Sequence, residues 1–431
     1  MNENEFDIIV VGASFAGMSF VRNLPRNSNL KILVVDAKVA IGATVESTGL
    51  ITEHTRRLFS GFFDIDQYIT NKITTIGVIT TDFEECFFSK QPTPWIYQTD
   101  TKKLIQSLAS NLPPNVTVWP DTFYLENDKP DDFGWMNITL TKQGKNVNLK
   151  TKFLIGADGG NSRVAKINNL DENKKFLFGI EEVYFGKINL GPNPNETIYH
   201  FWFGEFSLGY GGWLSSTIIE GRPAFRIGLA KKIGDSKDSK KILQQFTTIL
   251  LQKKIITIEN QDNSSCGTYG SNIPIGGPLQ KFYCTGVMLI GDAAGFCGAF
   301  SADGIKGAVI SGIESAKIVS TYLSCKLPDN SILKSLHTRM NAHHNVITYY
   351  KKQIFYRFVW DIMRSNRTFR QMFKIIKKEK EGFLKQFCDS KEKGKGLIFV
   401  VLKLRNIPSL ILYAFYLLID LFKSKSVKNT D

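Results

Sequence analysis

The sequence predicts an α/β fold: a Rossmann-like dinucleotide-binding domain interleaved with a sheet-rich domain and followed by a helical C-terminal region. Three observations predict it. A glycine-rich turn, Val10 to Gly17, lies between two short apolar runs; two further strand-to-turn motifs follow at Phe153 to Val164 and Gly286 to Ala308; and the apolar pattern becomes helical after Asp303.

The first apolar run, Ile8 to Val11, and the second, Lys31 to Ala37, flank a stretch that Pro25 terminates, so together they read as a β-α-β unit. Residues 60–100 mix aromatic and β-branched residues with prolines. Residues 176–275 read as a series of strands broken by Gly, Pro and Asn. This divides the chain into a nucleotide-binding domain (1–60, 100–175 and 282–325), a substrate domain (61–99 and 176–281) and a helical region (326–431). Ile305, Ala308, Val309, Gly312, Ile313 and Ala316 share one helix face, and the last apolar block is Ile407 to Phe422.

A chain of 431 residues exceeds a single compact core, and 43% hydrophobic with 22% charged residues is globular composition. The net charge of +14 invites a polyanion, yet the chain lacks zinc-finger spacing, an RNP-like aromatic string and an Arg-rich arm, which argues against nucleic acid. Much of the excess lies in runs such as Lys351-Lys352, Lys377-Lys378 and 423–428, suited either to an anionic membrane surface or to a solvated basic face. The six cysteines form no CxxC or Cys/His ligand spacing, and the start, MNENEFD, is acidic. A reduced, cytoplasmic protein without structural metal is expected.

In the first motif Gly12 permits a tight turn and Gly17 close helix–strand packing. Ala13, Ser14, Phe15 and Ala16 lead into a helix whose N–H groups suit a pyrophosphate. Ser14 stands where the usual pattern has its middle glycine. Asp36, followed by Ala37, ends the second strand, where an acid accepts hydrogen bonds from ribose hydroxyls. The second motif places Asp158 and Gly159 at a sheet's carboxyl edge, or forms an Asx turn there. In the third, Gly291 and Asp292 follow an apolar strand, and Gly304 and Ile305 open a helix able to stabilise the negative charge of a reduced flavin. Three sites matched to one dinucleotide predict FAD.

Together these motifs resemble the flavoprotein superfamily of aromatic hydroxylases and geranylgeranyl reductases, over residues 6–325. The resemblance implies that Gly12, Gly17 and Asp36 hold the ADP half, that Asp158 belongs to a motif linked to FAD and NAD(P)H, and that Asp292 binds the ribityl chain. The span from Gly291 to Ile305 and the aromatic segment Thr197 to Ser216 are similar to the geranylgeranyl reductase branch, whose members hydrogenate isoprenoid double bonds of lipids. This chain departs from that branch at residues 46–50, which lack its cysteine, and at Asp100-Thr101 and Ala299.

The resemblance implies a lipid-directed reductase, supplied with electrons by NAD(P)H or a ferredoxin-like donor; the alternative is an FAD-dependent monooxygenase of an apolar substrate. Tyr199, Trp202, Tyr210 and Trp213 are the candidate substrate wall, or ordinary sheet core. Ser47, Glu46 and Tyr210 are the candidate proton donors. The block Ile407 to Phe422, short of the roughly 20 apolar residues that span a bilayer, suits a helix lying in the interface at the inner face of the cell membrane, or one docked on the body. The sequence leaves the oligomeric state open.

Overall fold

The computed structural model describes residues 4–25, 29–44, 47–191, 197–201, 204–233, 238–259, 265–325, 329–388 and 401–428. Its first sheet is built on the strand Glu5–Val11, buried on both faces, as the unbroken apolar run of a parallel strand requires. The sheet order is Tyr283–Cys284, Val287–Leu289, Lys145–Gly156, Glu5–Val11, Ile32–Val35 and Val116–Trp119. The last five of these run parallel. Thr122–Asn127 and Met136–Lys142 extend the sheet antiparallel from the first half of Lys145–Gly156. Helix Phe15–Arg22 lies against the long helix Gly304–Ser324. Only small residues permit that approach: a Cβ on Gly312 would stand 2.7 Å from Ser19 Cβ and 2.8 Å from the Ala16 carbonyl oxygen.

The second sheet runs Ile256–Ile258, Phe176–Ile188, Arg222–Lys232, Gly209–Ile219, Thr197–Phe201, Thr75–Ile79 and Cys86–Lys90, with Gly267–Pro274 also paired to Phe176–Ile188. One face, carrying Ile180, Tyr184, Leu214, Phe225, Ile227 and Leu229, packs on helix Ser239–Gln252. Strand alternation sends Trp213 to the opposite face, where it packs with Ala299 of the third motif. On that side Ile76, Val78 and Ile198 meet Trp360, Phe369 and Phe373 of the C-terminal helices. A small third sheet, Leu50–Ile51, Ile96–Thr99 and Ile69–Ile73, completes the strands.

The C-terminal region contains helices Asn330–His344, Val346–Ile362, Asn366–Lys378, Lys380–Cys388 and Ile407–Lys428. The last is longer than the apolar block Ile407 to Phe422. With its preceding turn it gives a 19-residue stretch, Leu404–Phe422, long and apolar enough to cross a membrane by length and composition. Counting from Ile407 omitted the turn that extends the helix toward its N-terminus. One side of it docks on the body, because Tyr413 and Leu417 pack against the cluster that holds Trp360 and Phe369.

Candidate active site

The register aligns four strand ends. Val11 stands opposite both Gly156 and Val35, and Gly156 stands opposite Leu289. Gly12, Asp36, Asp158 and Gly291 therefore emerge along one carboxyl edge, with Glu5–Val11 at the point where connections leave to either side. Gly12 has φ +111°, and a Cβ there would stand 2.2 Å from the Ala157 carbonyl oxygen, so only glycine fits between the two turns. A Cβ on Gly17 would likewise stand 2.0 Å from the Gly12 oxygen. The Asp36 carboxylate accepts from the amides of Ala13 (2.8 Å) and Lys38 (2.9 Å), which closes the first turn and leaves lone pairs for ribose hydroxyls. Ala13 and Ala16 are buried, Ala37 is exposed, and the Phe15 ring packs edge-on to Phe59.

Asp158 acts within its own loop. Ser162 Oγ donates to one of its oxygens (2.7 Å) and the Val164 amide to the other (3.1 Å), while burial raises its pKa. Gly159, at φ +81°, has open space where a Cβ would be. Asn173 joins the second motif to the third, donating to the carbonyls of Gly160 (3.0 Å) and Asp292 (2.8 Å). A cavity of about 260 Å³ opens there between residues 160–166, Asn173 and Ala293.

Helices Glu53–Ser60, Thr101–Leu108, Arg163–Ile167, Ser239–Gln252 and Asn330–His344 are all capped by a Thr, Asp or Ser side chain. The helices that begin at the first and third motifs are not, although Ser14 and Asp303 occupy their N-cap positions, and neither are Val346–Ile362 and Asn366–Lys378. The positive ends of the two motif helices would suit a pyrophosphate at Ser14 to Gly17 and an anionic ring edge at Gly304 and Ile305. Asp292 lies against the second of these ends: its Oδ1 would be 2.9 Å from a Cβ on Gly304.

Asp303 is instead held from within. Its carboxylate accepts from Ser301 Oγ (2.7 Å), Tyr349 OH (2.5 Å) and Gln353 Nε2 (3.4 Å), and its carbonyl accepts from Tyr350 OH (3.2 Å). Gln353 Oε1 accepts the amides of Phe300 and Ser301, and Phe300 packs on Tyr356 and Trp360. Helix Val346–Ile362 thus forms the wall of loop 296–303. Burial and the Asp303 carboxylate push the Tyr349 and Tyr350 hydroxyls above the ordinary phenol range, and burial does the same to the Cys297 thiol. Sequence reading missed Tyr349, Tyr350 and Gln353. Their i, i+1, i+4 spacing, one polar cluster in a helical stretch, was the available signal.

The substrate-wall candidates separate. Tyr210 donates to the Ser301 carbonyl (3.2 Å) and meets Trp213 edge-on, so it borders the loop. Trp213 is buried, lies over Gly228, and donates its indole N–H to Glu181 (2.7 Å). Glu181 also pairs with Arg226 (3.0 Å), which reaches the Thr48 carbonyl (3.4 Å). Ser47 Oγ accepts the Gly49 amide (3.2 Å). Tyr199 lies in the strand opposite Leu214. Its side chain, like Glu46 and Trp202, lies outside the described residues. Asp100 caps helix Thr101–Leu108 through the Lys103 amide.

No protein-family description matches the chain. It is 25% identical over 364 residues to a digeranylgeranylglycerophospholipid reductase of Methanococcus vannielii, covering 79% of this chain and 84% of that one. It is 22% identical over 344 residues to the protein of that name in Methanocaldococcus jannaschii, covering 79% and 83%. A geranylgeranyl bacteriochlorophyll reductase-like protein of Thermoplasma acidophilum has the same fold, with TM-score 0.75 at 15% identity over 92% of this chain and 96% of that one. The chain has the fold of FAD-dependent oxidoreductases and is similar to the geranylgeranyl reductases. Aklavinone-11 hydroxylase, solved with FAD and aklavinone, shares the flavoprotein fold at TM-score 0.64 and 15% identity, over 83% of this chain and 70% of that one.

Proposed function

We propose that this flavoprotein hydrogenates isoprenoid double bonds of a lipid at the cytoplasmic surface of a membrane. The alignment with digeranylgeranylglycerophospholipid reductases along about four-fifths of the chain carries this reading. Gly12, Gly17 and Asp36 would hold the ADP half of FAD, Asp292 the ribityl chain, and the amides of Gly304 and Ile305 the pyrimidine edge. FAD bound there, once reduced by the electron donor, would supply the hydride that alkene reduction needs.

The remaining work falls to the chain. Trp213, Tyr210 and Ala299, which pack together, would form an apolar wall that keeps water from the reacting double bond. A proton must reach the second carbon. Tyr210 and Ser47 are the candidate donors among the described residues. The electron donor in this reading is NAD(P)H or a ferredoxin-like protein.

The test is anaerobic. Protein reduced at its flavin is mixed with digeranylgeranylglycerophospholipid, flavin absorbance is followed, and the lipid is weighed by mass spectrometry. Reoxidation with gain of hydrogen at the double bonds is expected. Reoxidation that requires oxygen, with an oxygen atom gained by the substrate, would replace this reading with the monooxygenase one.

A further inference from the structure

We propose that a lysine-lined groove beside the C-terminal helix binds the phosphates of anionic lipids while the helix's outer face enters the same leaflet. This rests on the membrane-surface reading above and names the surface that carries it.

Helix Ile407–Lys428 has two unlike sides. Tyr413, Leu417 and Asp420, spaced four and three apart, face the body. Tyr413 OH donates to Met363 sulfur (3.0 Å). Asp420 is fully buried and accepts from the amides of Arg364 (2.9 Å) and Ser365 (3.1 Å), from Ser365 Oγ (3.1 Å) and from Thr368 Oγ1 (2.8 Å). The other side carries Ile411, Phe415, Leu418 and Phe422 at the same spacing, 66%, 55%, 53% and 69% exposed. Scattered exposed apolar residues need no explanation, but a continuous stripe of large ones does.

A groove of about 640 Å³ adjoins this stripe between helix Asn366–Lys378 and the start of the C-terminal helix. Lys374, Lys377 and Lys378 line it together with Gln371, Ser409 and Leu412. Lys377 meets Glu85 at 3.2 Å and Lys378 reaches Ser409 Oγ at 3.4 Å, whereas no carboxylate lies within ion-pair distance of Lys374 among the described residues. Leu412 belongs to the groove and is itself 40% exposed, so the cationic pocket runs without a break into the apolar stripe. Cations beside exposed apolar side chains match the headgroup and acyl layers of an anionic leaflet. A second copy of this chain, with its net charge of +14, would set lysine grooves against each other. A spanning helix would strip Tyr413 and Asp420 from their partners.

Full-length, FAD-loaded protein is floated with vesicles of phosphatidylcholine alone or mixed equally with phosphatidylglycerol, at low and high salt. Binding to the anionic vesicles that high salt releases is expected. The Lys374→Glu, Lys378→Glu double variant should lose about tenfold or more of it, at about 1 kcal/mol for each lysine near the surface. A Phe415→Trp variant, which keeps an aromatic ring in place, should be quenched by brominated acyl chains. If the double variant floats as wild type does, the groove has no such role while the membrane reading stands. If wild type stays in the soluble fraction with every vesicle, both fall. Absence of quenching at Phe415→Trp, or retention through high salt and alkaline extraction as a spanning helix would give, overturns the docked geometry.

Discussion

Tyr349 donates its phenolic hydrogen to the carboxylate of Asp303 and so ties the C-terminal helical region to the residue that precedes helix Gly304–Ser324. Asp303→Ala removes the carboxylate that accepts from Ser301, Tyr349 and Gln353, while Ser301 Oγ keeps Gln353 Oε1 at 3.0 Å. Each unsatisfied buried donor costs about 1–3 kcal/mol, so a loss of about 3 kcal/mol in urea unfolding is expected; Tyr349→Phe, which removes one bond, should lose about 1. Both variants should also retain FAD less tightly on dilution. Wild-type unfolding and FAD retention in both would show that this network does not hold the loop.

Asp292→Ala should deplete flavin from the purified protein. Loss of a charge-assisted hydrogen bond is worth about 1.5–3 kcal/mol, an FAD affinity lower by roughly 10- to 150-fold. Fluorescence titration of apoprotein reads this directly, and unchanged affinity would remove Asp292 from the ribityl site.

Trp213 is a test of the wall. Its ring lies over Gly228, where a Cβ would stand 2.4 Å away, so Trp213→Ala should destabilise by about 3–5 kcal/mol and reveal little about substrate. Trp213→Phe keeps most of the apolar surface while freeing Glu181 from the indole N–H. If this wall faces the lipid, Trp213→Phe slows flavin reoxidation by lipid more than flavin reduction by the electron donor. Equal effects on the two half-reactions would make it a core residue only.

His337 stacks on Phe282 at 4.4 Å and near Phe296 at 5.5 Å, and burial lowers its pKa from 6.5 to about 4. The unfolded chain therefore takes up this proton from about pH 6.5 downward, whereas the folded chain does so only near pH 4. Stability from the neutral imidazole is complete above pH 6.5 and is lost as pH falls toward 4, on the order of 2 kcal/mol after allowance for partial exposure. Urea midpoints across that range should fall in wild type and fall less in His337→Phe. Equal pH dependence in the two would assign the loss to other groups.

Much of the candidate nucleotide site was legible because the geometry of its turns is set locally. A turn that admits no Cβ selects Gly12, an acid ending the next strand selects Asp36, and each can be read within a few residues of a strand. Asp158 was legible as a turn residue, and its partners Ser162 and Val164 lie in the same loop. Trp213 was recognised as one residue of an aromatic strand, but the side it faces depends on pairing with Gly228 and on Glu181.

By itself the sequence determined the α/β class, the three strand-end motifs and the dinucleotide they suit, since periodicity, glycine stereochemistry and acid placement act over short spans. Only the tertiary structure decided that Tyr349, Tyr350 and Gln353 wall the loop before Gly304, and that Asp420 anchors the last helix by one face while Ile411 and Phe415 remain exposed. Those relations are hydrogen bonds and packing between distant segments. They leave no periodic trace, because a buried polar side chain is satisfied by whichever partner the fold brings to it.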